Sequence, residues 1–461
     1  MDLERLVAAL EPVEVLGGLS VEVRDLAFDA RAVVPGTLFF AVPGTRADGH
    51  DFAPEAVERG AVALVVERAL DLPVPQVVVR DARAAMAPVA DAFFGEPTRQ
   101  LEVVGVTGTS GKTTTSFLLF AILAAAGRRP GLLGTVVARV GGERRGVVRT
   151  TPEAIDLQRV FREMLDAGDR SCAMEASSHA SVLHRLDCVR FAALVFTNLS
   201  QDHLDFHGDM ESYFQAKRRL FLAEPRPIAV VNVGDGYGRR LAEELPEAIT
   251  FSADDASALA GVALKLRGRF NVENALGALT AARALGIDDD AIRRGLESVR
   301  GVPGRFESVD AGQPFHVIVD YAHKPDALEK VLRAARELAG DGRVICVVGA
   351  GGDRDRGKRA VMGRVASELA DVAIVTSDNP RSEDPEAIAA EIVAGAEGDV
   401  EVELERAAAI GKAVGLAQPG DVVLIAGKGA EQGQEFADRT VAFDDREAAK
   451  DALRAMPETS T

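Results

Sequence analysis

Apolar and polar residues alternate along the chain in blocks that predict short strands and helices. In the first hundred residues, apolar runs at 37–42 and 61–66 predict strands, and the stretch 52–59 between them predicts a short helix. A Pro-containing segment, 96–99, is typical of a linker. Residues 1–97 are therefore predicted to form a small α/β domain.

In residues 98–300, apolar runs rich in β-branched residues alternate with longer amphipathic stretches, as a mostly parallel sheet requires. The predicted strands are 101–106, 171–176, 191–197 and 228–233. The predicted helices are 113–126, 154–167, 211–222 and 272–285. This segment is predicted to form a central domain with a parallel sheet.

The same alternation continues in residues 301–461, after a Gly- and Pro-rich start. The predicted strands are 315–320, 343–348, 372–376 and 422–426. The predicted helices are 325–338, 358–369, 385–394 and 406–417. The sequence therefore predicts an α/β protein of three domains, 1–97, 98–300 and 301–461, with a doubly wound, Rossmann-like third domain.

The strongest chemical signal is a Gly-rich turn between the first strand and first helix of the central domain. It reads Thr107-Gly108-Thr109-Ser110-Gly111-Lys112-Thr113-Thr114. Such a turn presents backbone N–H groups to an anion, and the helix N-terminus adds partial positive charge. Lys112 would reach the β- and γ-phosphates, and the Thr113 hydroxyl could ligate Mg²⁺. The strict Walker A pattern has Gly where this chain has Val106, but the flanking strand and helix favour a nucleoside triphosphate site over an ordinary turn.

Composition and charge narrow the class of protein. The chain has 53 Lys and Arg against 71 Asp and Glu, a net charge of −18, which argues against a general nucleic-acid binder. Its three cysteines lie at no metal-like spacing, which favours reduced thiols. The start lacks the apolar region of a signal peptide, and the longest apolar run, near 117–126, is too short to span a bilayer. A soluble, cytoplasmic protein without membrane insertion is expected, and we expect a monomer.

Polar side chains are grouped after several predicted strands of the central domain. These groups are the hydroxyl-rich segment 150–153, the Glu- and His-containing segment 174–179, and the Asp- and His-rich segment 197–208. Carboxylates and an occasional imidazole suit Mg²⁺ beside a phosphate loop. An ordinary structural role stays open for each group, and 150–153 could simply cap a helix.

Four polar loops follow predicted strands of the third domain, at 320–325, 349–359, 377–381 and 427–431. Because the carboxyl ends of parallel strands lie at one edge of a sheet, these loops predict a second binding face.

Together these motifs resemble the Mur ligases, the cytoplasmic ATP-dependent enzymes that add amino acids one by one to the peptidoglycan precursor. The resemblance rests on the phosphate loop, the 174–179 and 198–208 segments, Asn271-Val272-Glu273-Asn274 and 320–325, and it covers essentially the whole chain. Within the family, Asp378-Asn379-Pro380-Arg381 resembles the enzymes that add meso-diaminopimelate as the third residue.

The resemblance implies roles for particular residues. ATP would be held by the phosphate loop together with Asn271, Arg305, Asp320 and His323. Metal ions (Mg²⁺) would be held by Thr113, Glu175, His203 and a carbamylated Lys217. The UDP-N-acetylmuramoyl dipeptide would contact Phe28, Ala30, Thr45, Arg46, Ala47, Thr150, Thr151, Ser177 and Arg185. Diaminopimelate would contact Arg354, Asp378, Asn379, Pro380, Arg381, Gly427 and Glu431. The residues implied to act in catalysis are Lys112, Glu175, His203 and Lys217.

Some interpretations stay open at this point. Without the resemblance, Lys217 is an ordinary surface lysine of a helix, and Arg381 could cap its own turn by pairing with Asp378 or Asp384. The family usually has Ser at the position of Ala30 and His at that of Ala430. The alternative functions are an L-lysine-adding Mur ligase and a P-loop NTPase switch without ligase chemistry.

Overall fold

The computed structural model describes residues 1–44 and 47–456, and each of its three large sheets is flanked by helices. The chain packs as two compact units. The first unit consists of Met1–Thr107, Ala126–Val195 and Gln215–Ala229. The second consists of Gly108–Ala125, Phe196–Phe214 and the chain from Val230 onward. Thr45 and Arg46 lie outside the described residues.

The N-terminal elements build a five-stranded sheet within the first unit. They are α1 (Leu3–Val7), β1 (Glu14–Leu16), β2 (Asp25–Ala27), β3 (Thr37–Phe40), α2 (Ala53–Glu58), β4 (Ala61–Val66), β5 (Gln76–Val78) and α3 (Ala82–Phe93). The sheet order is β1-β5-β4-β3-β2, with only β1 antiparallel to its neighbour. Because β3 is covered on both faces, all four of its residues are buried, which explains its continuous apolar run.

The central elements follow in chain order. They are β6 (Glu102–Thr107), α4 (Lys112–Ala125), β7 (Pro130–Leu133), β8 (Ala138–Val140), β9 (Glu143–Arg145), α5 (Ala154–Asp166), β10 (Ser171–Glu175), α6 (Ser178–Val182), β11 (Phe191–Phe196), α7 (Leu204–His207), α8 (Met210–Arg218), β12 (Ile228–Asn232), α9 (Gly236–Glu244), β13 (Ile249–Phe251), α10 (Arg269–Ala284) and α11 (Asp289–Ser298). In the first unit the strand order is β11-β6-β10-β7-β8-β9. In the second unit β12 pairs with β13, and α4 packs against α10 and α11.

The predicted central strands and helices are present, but one helix is shorter than predicted and several short elements were not predicted. The α-helix predicted at 211–222 ends at Arg218 and continues as a 3₁₀ turn, Arg219–Leu222. The antiparallel strands β8 and β9 were not predicted, because they are three residues long and carry exposed or half-buried arginines rather than an apolar run.

The C-terminal elements build a doubly wound sheet within the second unit. They are β14 (Glu307–Ser308), β15 (His316–Asp320), α12 (Pro325–Ala339), β16 (Val344–Val348), α13 (Gly357–Leu369), β17 (Val372–Val375), α14 (Pro385–Val393), β18 (Glu401–Val402), α15 (Arg406–Leu416), β19 (Val422–Ala426), β20 (Gly433–Glu435), β21 (Thr440–Ala442) and α16 (Asp445–Ala455). The order is β14-β15-β19-β16-β17-β18, and β20 pairs with β21 in a separate ribbon.

Successive residues of these strands alternate between two apolar cores, one on each face of the sheet. Ile318 and Cys346 belong to the core that includes α12 and α13, whereas Val317, Val319 and Val347 belong to the core that includes α15 and α16. The predicted α/β fold with a Rossmann-like third domain is therefore confirmed. The boundaries at 97/98 and 300/301 stay predictions. In the described part of the chain, no helix has the length and apolar character needed to cross a membrane.

Candidate functional site

The phosphate loop connects β6 to α4 in the predicted conformation. Gly108 and Gly111 have φ angles of +144° and +86°, which glycine adopts without steric cost. A Cβ at Gly108 would lie 1.9 Å from Thr197 Oγ1, so only glycine fits there. Thr197 Oγ1 donates to the carbonyl of Ser110 (2.7 Å), and Asn198 Oδ1 accepts from the Ser110 N–H (2.9 Å). The two residues that follow β11 therefore hold the loop in shape.

Lys112 lies across this loop. Its Nζ donates to the backbone carbonyls of Gly108 and Thr109, at 2.9 Å each. The Thr109 hydroxyl lies 3.1 Å from the Tyr213 hydroxyl and donates to the Ser200 carbonyl (3.2 Å). The loop is thus tied to the segment that follows β11.

Two of the predicted nucleotide-binding residues lie beside the loop. Arg305 Nη2 donates to Thr113 Oγ1 (3.0 Å), and its guanidinium carbon lies 4.4 Å from the centre of the Tyr321 ring. Asn271 is linked to the helix after the loop through Asn274, which accepts a hydrogen bond from Thr115 Oγ1 (3.3 Å). The structure therefore brings Arg305 and Asn271 close to the phosphate loop.

Asp320 and His323 follow β15. Both Asp320 oxygens accept backbone hydrogen bonds, from Phe306 (2.6 Å) and Ala322 (2.7 Å), and burial raises the pKa of this carboxyl. His323 Nδ1 lies 2.8 Å from the Tyr321 carbonyl. Burial, together with the nearby charge of Lys324, holds the pKa of His323 well below its ordinary value, so the ring is neutral at neutral pH.

His203 and Lys324 both contact the carboxylate of Asp202. Its backbone is left-handed (φ +52°), and its Nε2 lies 2.8 Å from Asp202 Oδ2. Lys324 Nζ lies 2.5 Å from the same oxygen. Burial alone would raise the pKa of Asp202, but the His203 hydrogen bond and the Lys324 charge bring it below its ordinary value. Burial lowers the pKa of His203.

Glu175, at the end of β10 in the first unit, is 1% exposed. Its Oε1 accepts from the Thr135 N–H (2.8 Å), and its Oε2 accepts from the Thr135 hydroxyl (3.1 Å). A Cβ at Gly134 would lie 2.5 Å from Glu175 Oε1, so the Gly134-Thr135 turn fits around the carboxylate. Sequence reasoning missed Thr135, because the short strand β7 before it was not predicted.

The predicted contacts for the substrate's peptide lie next to Glu175. Thr151 Oγ1 donates to the Glu175 carbonyl (2.9 Å) and lies 3.3 Å from Ser177 Oγ. Arg185 Nη1 donates to the Thr151 carbonyl (3.4 Å). Thr150 Oγ1 lies 3.1 Å from Thr135 Oγ1. The structure therefore gathers Thr150, Thr151, Ser177 and Arg185 around Glu175.

Lys217 lies near the end of α8 and is 1% exposed, so it is not a surface lysine. It belongs to the first unit together with Glu175, whereas Thr113 and His203 belong to the second. Among the described residues, no three His, Cys, Asp or Glu side chains form a group that could hold a metal ion.

Of the predicted uridine contacts, the structure describes Phe28 and Ala30 after β2 and Ala47 after β3. Phe28 is half-buried, Ala30 is buried, and Ala47 is exposed. Ala30 starts a 3₁₀ turn that is capped by Asp29, whose Oδ1 accepts from the Arg31 N–H (3.0 Å). The other two predicted residues, Thr45 and Arg46, fall outside the described residues.

Asn379 lies at the centre of a hydrogen-bond network on the C-terminal sheet. Its Oδ1 accepts from Lys428 Nζ (2.7 Å) and from the Glu435 N–H (3.0 Å), and its Nδ2 donates to Glu431 Oε2 (2.9 Å). Gly427 has φ +122°, and a Cβ there would lie 2.5 Å from Asp378 Oδ2. Lys428 is fully buried and was not among the predicted site residues. Its position in the polar loop after β19 could have indicated it.

Arg381 is held by partners that the sequence did not indicate. Its Nε donates to Glu435 Oε2 (2.8 Å) and its Nη1 to the Gly352 carbonyl (2.8 Å). The predicted alternative, pairing with Asp378 or Asp384, is not the arrangement in the structure. Pro380 precedes Arg381 in the same loop, and Arg354 is exposed, with Nη1 donating to the Asp353 carbonyl (3.3 Å).

Three family models match the chain. They are described as the Mur ligase family catalytic domain (residues 22–94), the Mur ligase middle domain (106–263) and the Mur ligase glutamate ligase domain (304–429).

Two relatives are similar over nearly the whole chain. One, from Streptomyces coelicolor, is 46% identical over 94% of this chain and 93% of that protein; one from Geobacter metallireducens is 44% identical over 99% of both. Both are named UDP-N-acetylmuramoyl-L-alanyl-D-glutamate–2,6-diaminopimelate ligase. A solved structure described by the same name has a TM-score of 0.67 at 30% identity and covers 99% of both chains.

Proposed function

Because the chain belongs to the Mur ligase family, we propose that it joins 2,6-diaminopimelate to UDP-N-acetylmuramoyl-L-alanyl-D-glutamate at the expense of ATP. The reaction belongs to the synthesis of the peptidoglycan precursor, which we place in the cytoplasm. The meso isomer of diaminopimelate stays a prediction from the sequence.

The chemistry is activation of a carboxylate followed by amide formation. A carboxylate oxygen of the D-glutamyl residue attacks the γ-phosphorus of ATP, and ADP leaves, which gives an acyl phosphate. The unprotonated amine of diaminopimelate then attacks the acyl carbon. Inorganic phosphate leaves as the C–N bond forms, and the nitrogen loses a proton.

The phosphate loop supports the first step. Lys112 Nζ donates to two carbonyls of the loop. When phosphate binds there, the same ammonium group can donate to phosphate oxygens instead. Arg305 reaches the loop from the C-terminal half and adds a second fixed cation beside Thr113. Preorganised positive charge of this kind is the main contribution of proteins to phosphoryl transfer.

Mg²⁺ suits the types of donor that the resemblance assigns to it. The Glu175 carboxylate and the Thr113 hydroxyl offer hard oxygen atoms, and His203 offers an imidazole. Mg²⁺ commonly keeps waters and takes substrate phosphate oxygens. When bound, it would neutralise charge on the phosphates of ATP; the proposed protein ligands are Thr113, Glu175, His203 and carbamylated Lys217.

The choice of diaminopimelate depends on one observation: the loop after β17 carries a guanidinium and the loop after β19 carries a carboxylate. Arg381 suits the carboxylate of the substrate, and Glu431 suits its ammonium. The far end of diaminopimelate carries both groups, whereas lysine carries only an ammonium.

Phosphate release with purified protein tests the proposal. ATP, the UDP-muramyl dipeptide and meso-diaminopimelate together should release phosphate, and omission of either acceptor or amino acid should abolish it. Equal or faster release with L-lysine would favour the lysine-adding alternative. Hydrolysis of ATP that needs neither substrate would indicate a switch and contradict the proposal.

A further inference from the structure

One buried carboxylate in the first unit is shared by three arginines from separate segments. Glu153 is 4% exposed. Its Oε1 lies 2.7 Å from Arg185 Nη2 and 3.3 Å from Arg149 Nη1, and its Oε2 lies 3.4 Å from Arg83 Nη1. Three positive charges thus meet at one negative charge.

The position of Glu153 in the chain does not explain this arrangement. It is the N-cap residue of α5, but its side chain makes no capping hydrogen bond. The sequence left open whether the 150–153 segment caps a helix or serves a substrate. Because the carboxylate faces arginines instead of the helix N–H groups, ordinary side-chain capping is not its role.

Arg185 depends on this carboxylate more than the other two arginines do. Its side chain is 12% exposed, whereas those of Arg83 and Arg149 are 25% and 50% exposed. Its buried Nε has no hydrogen-bond partner within the described chain. Burial lowers the pKa of Arg185, the charges of Arg149 and Arg83 act in the same direction, and only Glu153 opposes them.

Arg83 connects this group to the N-terminal sheet. It is the second residue of α3, which packs against α5. The carboxylate of Glu153 therefore joins a helix of the predicted uridine-binding domain to Arg185, whose Nη1 also donates to the Thr151 carbonyl.

We propose that Glu153 is a positioning residue, which holds Arg185 against Thr151 and links it through Arg83 to helix α3. The inference rests on the proposed function, in which Arg185, Thr151 and Ser177 meet the peptide end of the UDP-substrate. Without the carboxylate, three neighbouring cations would repel one another and the Arg185 guanidinium would lose its fixed direction.

The test compares Glu153→Gln with wild type in two measurements. In steady-state kinetics, KM for the UDP-muramyl dipeptide should rise about tenfold, the low end for loss of one charge-assisted hydrogen bond. KM for ATP and diaminopimelate and kcat should change less than about twofold. In calorimetry, the Kd of the UDP-muramyl dipeptide should rise equally, while the Kd of UDP alone should stay the same.

Two further variants make the result specific. Glu153→Asp keeps the charge and should recover part of the lost affinity. Glu102→Gln is the matched control, because it removes a half-buried carboxylate of the same unit, paired with Arg128 at 2.6 Å, and should leave all constants unchanged. If Glu153→Gln does not fold, Arg83→Gln takes its place, with the same selective loss expected for the UDP-muramyl dipeptide.

An equal rise in the Kd of UDP and of the UDP-muramyl dipeptide in Glu153→Gln would show that Glu153 only supports the fold. Wild-type constants in a folded Glu153→Gln variant would also overturn the inference. Calorimetry separates this result from a failure of the proposed function. Wild-type protein that binds the UDP-muramyl dipeptide but forms no amide would contradict the ligase proposal, while the binding data would still decide the role of Glu153.

Discussion

Arg381 determines, in our proposal, how well the enzyme distinguishes diaminopimelate from lysine. In the structure, Glu435 and the Gly352 carbonyl already accept from its Nε and Nη1. Two of the five N–H donors of the guanidinium are thus in use and three remain, and we count the loss of one charge-assisted hydrogen bond to a substrate carboxylate. Such a bond contributes about 1.5–3 kcal/mol, which corresponds to about 10- to 150-fold in kcat/KM.

Arg381→Ala should lose that factor with meso-diaminopimelate, while activity with L-lysine changes little. The ratio of the two kcat/KM values should therefore fall by about 10- to 150-fold. The backbone at position 381 is left-handed (φ +53°). Arg and Ala both carry a Cβ and adopt this conformation at a similar cost, so the substitution is not expected to rearrange the backbone. Arg381→Lys keeps the charge but not the planar fork, and should show most of the same loss.

The assay is phosphate release at saturating ATP and UDP-substrate, with diaminopimelate or lysine varied. Arg454→Ala is the control, because Arg454 is an exposed arginine of the same sheet domain that pairs with Asp451. An unchanged ratio in Arg381→Ala would refute the reasoning, as would a wild-type enzyme that prefers lysine. A large rise in KM for ATP would show instead that the variant disturbs the nucleotide site.

Three other predictions follow from the site. Lys112→Ala should abolish ligation without loss of secondary structure, and wild-type turnover in the folded variant would rule out the assigned nucleotide site. Lys217→Ala should be almost inactive and partly rescued by a small added carboxylate, because the carbamate proposed on this buried lysine supplies an anionic oxygen to the metal. An unmodified Lys217 in the mass spectrum of active enzyme would contradict this. Burial keeps the pKa of His323 well below 6.5, so the unfolded chain binds a proton there that the native protein does not, and the free energy of unfolding falls as the pH drops below about 6.5. His323→Gln should reduce this fall by up to about 1.4 kcal/mol per pH unit. The measurement is the free energy of unfolding in urea at about pH 6 and about pH 5 for both proteins. An equal fall in the wild type and in His323→Gln would contradict the prediction.

The sequence by itself determined the succession of strands and helices and the place of the phosphate loop. Both depend on neighbouring residues: a β-branched run such as that of β6 predicts a strand, and the loop's glycines adopt backbone angles that other residues avoid. It also placed the polar groups after strands, because parallel strands bring their carboxyl ends to one edge. Short strands such as β8, without an apolar run, escaped prediction.

Only the tertiary structure decided which polar side chains are partners. Arg381 is paired with Glu435 instead of a nearby aspartate, and Glu175 accepts from Thr135, forty residues earlier in the chain. Lys217 lies buried where the helix pattern alone permits a surface lysine. The physical reason is that the chain has 53 Lys and Arg and 71 Asp and Glu, and any of these cations can pair with any of these carboxylates. Packing of distant segments selects among them, and it brings Arg83, Arg149 and Arg185 to Glu153.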